Sequence, residues 1–94
     1  LIYDAFSPSV FTALEDFGIC DAGEAKRFIA AGETQPGGAM PVNPNGGLIG
    51  EAYMHGVNNI IEAVRQLRGE AANQVAGART ALVTGGGALI LASD

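Results

Sequence analysis

The sequence predicts an α/β domain, because apolar runs of strand type stand at both ends and segments with helical periodicity lie between them. The 94 residues are 48% hydrophobic and 16% charged, which is the composition of a folded domain with one modest core. We expect residues 1–94 to form one domain. Because Leu1-Ile2-Tyr3 has the character of a strand already in progress, we expect that domain to be a piece of a longer chain.

The first elements are predicted to be a strand and a helix. Leu1–Asp4 is a short apolar run of strand type. Ser7 and Pro8 form a typical helix start, with Ser7 as the N-cap and Pro8 at the first helical position. Gly18 is a natural end for this helix. The apolar positions at helical spacing are Val10, Phe11, Leu14 and Phe17.

A second, shorter helix and a weak strand are predicted next. Asp21 and Glu24 have the spacing of a capping box, and the helix after them is expected to end at Gly32. Ala39–Asn43 has some strand character, although Pro41 weakens it. The segment from residue 43 to residue 50 is predicted to be a loop.

A longer amphipathic helix is predicted from about Met54 to Arg68, with Gly69 as its end. Its apolar stripe, expected to face the core or an interface, consists of Val57, Ile60, Ile61, Val64 and Leu67. Its polar positions, expected to face solvent, are Asn58, Glu62, Arg65 and Arg68. Two β-type runs follow, Arg79–Thr84 and Ala88–Ala92, and the glycines between them indicate an antiparallel pair or a loop that reaches a site.

Charge and cysteine content exclude several classes of function. Ten acidic against five basic residues give a net charge of −5, which argues against nucleic acid or an anionic membrane as a partner. No apolar run is long enough for a transmembrane helix. Cys20 is the single cysteine, so a disulfide framework is excluded and a cytoplasmic location is expected. One histidine without a cysteine cluster predicts no metal site.

The segment Pro41–Gly56 is the strongest candidate for a functional loop. It combines a glycine-rich turn with the protic side chains of Tyr53 and His55, and it leads directly into the longer helix. Glycines let a backbone approach a ligand closely, and the start of a helix favours negative charge. This pattern indicates an anion-stabilising active-site loop.

Several motifs, in order along the whole chain, resemble the C-terminal domain of the thiolase superfamily. They are Ile2–Phe6, Leu14–Gly18, Asn43–Leu48, Gln66–Gly69 and Val83–Gly87. The resemblance implies the C-terminal half of a thiolase fold, with a mixed β-sheet packed against helices.

Two departures from the thiolase pattern change the expected chemistry. Thiolases carry Gly-His-Pro-x-Gly after the glycine turn, whereas Gly50–Gly56 contains no His-Pro pair. Thiolases also carry a cysteine before the second glycine turn, where its thiol exchanges the Cα proton, and here Val83 precedes Thr84 instead. The loss of the thiol argues against an ordinary thiolase-type acyltransferase.

The chain is more similar to the lipid-transfer-protein-type steroid aldolases, a branch of the same fold. That resemblance implies a carbon–carbon lyase that cleaves a bulky, steroidal β-hydroxyacyl-CoA into a ketone and a shorter acyl-CoA. It also implies catalytic roles for Tyr3 and Tyr53, and we expect His55 to assist them. Coenzyme A would belong to the substrate, with no separate cofactor. A homodimer and a small OB-fold partner with a zinc ribbon are further implications.

Substrate binding is predicted at the two glycine turns, where backbone N–H groups can stabilise an oxyanion. The predicted positions are Asn43, Gly46, Gly47, Gly85 and Gly86. Each candidate residue also has a purely structural interpretation, as a turn residue or a packing aromatic.

Two other functions remain open at this point. An acyltransferase would require a thiol at position 83 and a His-Pro pair near Gly50, and the sequence has neither. A non-catalytic acyl-CoA-binding subunit would explain the lost cysteine equally well. It leaves the two tyrosines without a function.

Overall fold

The computed structural model describes residues 1–94, which form three α-helices, one 3-10 turn and an antiparallel β-hairpin. In chain order these elements are α1 (Ser7–Asp16), α2 (Ala25–Ala30), the 3-10 turn (Leu48–Gly50), α3 (Val57–Arg68), β1 (Thr80–Thr84) and β2 (Ala88–Ala92). None of the helices has both the length and the apolar character needed to cross a membrane.

The sheet consists of the two strands β1 and β2, and the N-terminal segment adds hydrogen bonds on the other side of β1. β2 pairs with β1 in antiparallel register, with Thr80 opposite Ala92. On the other side, the Leu1 nitrogen donates to the Leu82 carbonyl at 2.6 Å, and the Thr84 nitrogen donates to the Leu1 carbonyl at 2.8 Å. These two bonds have the pattern of parallel pairing. The strand predicted at Leu1–Asp4 does not form, and only Leu1 of this segment bonds to β1 in the manner of a parallel neighbour.

The prediction of a strand at Ala39–Asn43 is wrong, because that segment does not pair with any strand. Its nitrogens bond to a nearby turn instead: Met40 donates to the Glu33 carbonyl and Val42 donates to the Thr34 carbonyl, both at 2.9 Å. Pro41 between them has no N–H to offer a sheet. The segment therefore packs against the turn at Glu33 and Thr34, which precedes it closely in the sequence.

The helix starts differ from the predicted caps. Ser7 is already helical, and Phe6 precedes α1 without a capping side chain. The capping box predicted before α2 does not form either, because no side chain of that segment caps the helix. Instead, the Ala25 nitrogen donates to the carboxylate of Glu15 in α1 at 3.1 Å. The start of α2 is therefore stabilised by a tertiary contact.

The apolar core is small and lies between the N-terminal segment, α1 and α2. Ile2, Leu14 and Ala25 are its buried centre. Of the predicted face of α1, only Leu14 is fully buried, while Phe11 and Phe17 are exposed. Only 12 of the 94 residues are buried, so much apolar surface stays accessible.

The orientation of α3 differs from the predicted one at its N-terminal half, whereas Arg65 and Arg68 are exposed as predicted. Its buried residues are Asn58, Asn59, Glu62, Ala63 and Gln66. Val57, Ile60 and Ile61 of the predicted core stripe are instead 40–49% exposed. The helix is amphipathic as predicted, but its polar face is directed into the domain.

Most of the buried polar face is hydrogen-bonded, and only the side-chain oxygens of Asn58 and Asn59 are buried without a partner. The Gln66 amide donates to the Glu62 carboxylate and to the Asn73 carbonyl, each at 2.8 Å. Its oxygen accepts from the Val75 nitrogen at 2.8 Å. Buried polar groups cost free energy unless they are hydrogen-bonded, and these bonds reduce that cost at Glu62 and Gln66. The same bonds attach the loop that leads to β1.

We predict that Gln66→Met destabilises the domain, because the Val75 N–H loses its side-chain acceptor and the Asn73 carbonyl loses its donor. The free energy of unfolding in urea should fall by about 1–3 kcal/mol. Arg65→Met, on the exposed side of the same helix, is the control and should change it by less than about 0.5 kcal/mol. Equal unfolding midpoints for the two variants would contradict this account.

Candidate active site

A cavity of about 410 Å³ lies between the start of α3 and the turn that joins β1 to β2. Its walls combine two protic side chains, an apolar patch from the exposed face of α3 and a glycine turn. The lining residues are Tyr3, His55, Gly56, Val57, Ile60, Val83, Thr84, Gly85, Gly86, Gly87, Ala88 and Leu89. The inverted orientation of α3 thus supplies the apolar wall of the cavity.

Tyr3 is packed closely against the backbone that precedes α3. A Cβ atom at position 56 would stand 2.9 Å from Cδ2 of the Tyr3 ring, closer than real contacts allow. Gly56 also has φ +84°, in the left-handed region that favours glycine. The glycine therefore allows the ring to lie against the chain at the mouth of the cavity.

Tyr53 and His55 are brought together, but only His55 lines the cavity. Their ring centroids are 4.4 Å apart, with the planes tilted by 46°. The Tyr53 side chain is 82% exposed. His55 has φ +51°, which is uncommon for a residue with a side chain. For Tyr53 to take part in catalysis as predicted, its side chain must act through His55 or enter the cavity by a change in the conformation of this loop.

The turn after β1 presents backbone donors to the cavity. The Gly85 nitrogen donates to the Gly87 carbonyl at 2.9 Å, so it is already used. The N–H groups of Gly86 and Gly87 have no backbone acceptor. Both residues line the cavity, and unpaired backbone N–H groups are the type of donor that stabilises an oxyanion.

The first glycine turn lies outside the cavity, and its contacts are with the N-terminal segment. Asn43 binds both polar groups of the Ile2 backbone. The Leu48 nitrogen donates to the Asp4 carboxylate at 3.0 Å, and Gly47 lies directly against that carboxylate. The substrate-binding roles of Asn43, Gly46 and Gly47 stay predictions, since these residues do not line the cavity.

Sequence reasoning missed Asp4, Glu51 and Asn59 as organisers of the site. Asp4 holds the first glycine turn, and the Asn59 amide donates to the Ile2 carbonyl at 3.1 Å. Glu51 accepts from the side chains of Asn45 and Asn58, which ties the Tyr53 loop to the start of α3. The polar residue type was the only signal in the sequence, because the partners of Asp4 and Asn59 lie 44 and 57 positions away.

Cys20 lies outside the cavity lining and is half-buried. Burial raises the pKa of its thiol above the usual value, and three nearby carboxylates raise it further. These carboxylates belong to Glu15, Asp21 and Glu24. A thiol with a raised pKa is a poor nucleophile at neutral pH. Val83 occupies the cavity wall at the position where a thiolase carries its cysteine.

Comparison with known proteins identifies the family. Residues 1–93 match the family model described as thiolase C-terminal domain-like, so the chain belongs to that family. A solved structure titled Ltp2-ChsH2(DUF35) aldolase is 45% identical and superposes with a TM-score of 0.89 over 98% of this chain. The predicted resemblance and the predicted α/β fold class are therefore confirmed.

Two curated relatives have a sequence identity to this chain close to that of the solved structure. A 17-hydroxy-3-oxo-4-pregnene-20-carboxyl-CoA lyase from Mycobacterium tuberculosis is 52% identical over 92% of this chain. A steroid side-chain-cleaving aldolase from Thermomonospora curvata is 48% identical over the whole chain. The chain spans 22% and 25% of these two relatives and 25% of the solved structure, so it corresponds to about a quarter of each.

We predict that Gly47→Ala is more damaging than Gly46→Ala. Both glycines have positive φ, +76° and +96°, so both substitutions introduce backbone strain. Only at position 47 would the new Cβ overlap the Asp4 carboxylate; nothing lies near it at position 46. Unfolding in urea should show an additional loss of about 1–3 kcal/mol for Gly47→Ala. A loss no larger than that of Gly46→Ala would show that the Asp4 contact is not tight.

Proposed function

We propose that the protein carrying this domain is a carbon–carbon lyase that cleaves a bulky, steroidal β-hydroxyacyl-CoA by a retro-aldol reaction. The observation that carries the proposal is the cavity itself. Tyr3 and His55 share it with the Gly85–Gly87 turn, and Val83 stands where an acyl-transferring thiolase needs its thiol. The names of the two curated relatives, a carboxyl-CoA lyase and a steroid side-chain-cleaving aldolase, support the same reaction and substrate class.

The reaction requires proton transfer and charge stabilisation, and it needs no thiol nucleophile. A base removes the proton of the β-hydroxyl group, and the resulting carbonyl forms as the Cα–Cβ bond breaks. The electron pair of that bond moves into the thioester as an enolate. An acid then protonates Cα, which releases a ketone and a shorter acyl-CoA. Tyrosine and histidine are both able to act as acid and base in such steps.

The proposed roles follow the geometry of the cavity. Tyr3 and His55 exchange the protons, because both side chains line the cavity. Tyr53 acts on the His55 ring, which it contacts at 4.4 Å between centroids. Gly86 and Gly87 donate N–H groups to the enolate oxygen, and Gly85 shapes the turn. Val57 and Ile60 form the wall against which an apolar acyl group packs.

We further propose the cofactor use, the partners and the location of the protein. Coenzyme A is part of the substrate, and no other cofactor is required by the reaction. The related solved structure contains a second, DUF35 protein, which supports a small OB-fold partner with a zinc ribbon here. The exposed apolar residues of this domain are compatible with that partner and with a homodimer. We also propose a cytoplasmic location.

The test uses the full-length protein with its partner and a tertiary β-hydroxyacyl-CoA, and it follows ketone and acyl-CoA by mass spectrometry. Tyr3→Phe should lower kcat by about 10²–10⁴-fold, because a proton-transfer group is lost. Tyr53→Phe should lower it to a lesser extent, since Tyr53 lies outside the cavity. Thr12→Val on the exposed side of α1 is the control. Absence of cleavage by the unmodified protein would favour an acyl-CoA-binding scaffold.

A second prediction concerns the oxyanion donors. Gly86→Pro removes the N–H proposed as an oxyanion donor and should lower kcat by about 10²–10³-fold. Gly86→Ala keeps the N–H, and its Cβ meets nothing within 4 Å, so its loss should be much smaller. Substrate turnover by the two variants, measured beside their unfolding midpoints, checks this. Equal rates for both would remove this N–H from the mechanism.

A further inference from the structure

Two asparagine side chains hold the backbone directly before Tyr3. The Ile2 nitrogen donates to Asn43 Oδ1 at 2.7 Å, and Asn43 Nδ2 donates back to the Ile2 carbonyl at 3.0 Å. Asn59 Nδ2 donates to the same carbonyl at 3.1 Å from a fully buried position in α3. Both polar groups of Ile2 are therefore paired, and each of them is paired with a side chain.

These bonds determine how the next residue is presented. The Ile2 carbonyl belongs to the peptide plane that joins Ile2 to Tyr3, and a peptide unit is planar. Fixing that carbonyl with two donors fixes the direction in which Tyr3 leaves the backbone. On the other side of Tyr3, the Asp4 carboxylate accepts from the Leu48 nitrogen at 3.0 Å. Tyr3 is thus held between two anchored neighbours.

Position 43 has a conformation suited to asparagine. Its φ is +45°, in the left-handed region that asparagine tolerates better than most residues. In that conformation its side-chain amide lies alongside Ile2. The amide accepts one hydrogen bond and donates one, as the backbone of a neighbouring strand would do. The amide makes its bonds to Ile2 and lies outside the cavity lining.

We propose that Asn43, supported by Asn59, is a positioning residue that sets the Tyr3 phenol in the cavity. The inference rests on the proposed function, because it gives Tyr3 a proton-transfer role. Asn43 acts only through Tyr3 and does not touch the substrate. Its loss leaves the cavity walls in place and lets the phenol move. A misplacement of about 1 Å in a reacting group costs on the order of 100-fold in rate.

The first test compares Asn43→Gly with Asn73→Ala in the full-length protein with its partner. Glycine keeps the left-handed backbone and removes the side-chain bonds to Ile2. Asn73 is the matched control, because its side chain holds the same turn through the Pro44 carbonyl and does not touch Ile2. Asn43→Gly should lower kcat by about 10- to 100-fold with KM within about twofold. Asn73→Ala should leave kcat nearly unchanged, and an equal fall in kcat for both variants would overturn the proposal.

Asn43→Asp is a second variant for the case that glycine unfolds the domain. Aspartate keeps the acceptor for the Ile2 nitrogen and loses the donor to the carbonyl. Its kcat should lie between those of Asn43→Gly and the unmodified protein. A kcat equal to that of the unmodified protein would show that the Asn43 Nδ2 donor does not position Tyr3.

A double-mutant cycle separates positioning from a general loss of stability. If Asn43 acts through the Tyr3 hydroxyl, Asn43→Gly should have almost no further effect on kcat in a Tyr3→Phe protein. A fall of the same size in both backgrounds would overturn the proposal.

A fluorine resonance supplies a readout that needs no turnover. With 3-fluorotyrosine placed at position 3, Asn43→Gly should shift or broaden the resonance, and Asn73→Ala should not. If the unmodified protein cleaves no β-hydroxyacyl-CoA, the proposed function fails while this spectrum still decides the positioning. A spectrum identical in all three proteins overturns the positioning role, whether or not cleavage occurs.

Discussion

The domain depends on hydrogen bonds made by its first four residues. Leu1 pairs with β1 through its nitrogen and its carbonyl. Ile2 binds the Asn43 turn and the buried Asn59 of α3, and Asp4 binds the backbone nitrogen of Leu48 at the start of the 3-10 turn. One extended segment therefore joins the sheet, the long helix and the first glycine turn. Tyr3, in its middle, is the side chain directed toward the cavity.

The burial of the polar face of α3 is the second constraint, and it creates the apolar side of the site. Because Glu62 and Gln66 are satisfied inside the domain, the opposite face of the helix is free to contact something else. Val57 and Ile60 of that face line the cavity. The small apolar core is thus supplemented by a network of polar bonds, and part of the apolar surface becomes available for an acyl group or for another protein surface.

Local elements and their order were predictable, while caps and burial were not. The helices and the hairpin around Gly85–Gly87 follow from periodicity and glycine placement. The cap of α2 was missed because its acceptor, Glu15, belongs to another helix. The inward face of α3 was missed because helical periodicity identifies two faces and hydrophobicity alone then selects the wrong one here.

The sequence by itself determined the family, the α/β class and the loss of the thiol at Val83, since these depend on residue identity and order. The tertiary structure alone decided which candidates share a cavity. It placed Tyr3, His55, Gly85 and Gly86 together, and it assigned Asn43 to the backbone of Ile2. The physical reason is that a hydrogen bond between residues 41 positions apart leaves no local pattern in the chain. Such partners are chosen by packing, because buried polar groups must be satisfied wherever the fold brings them.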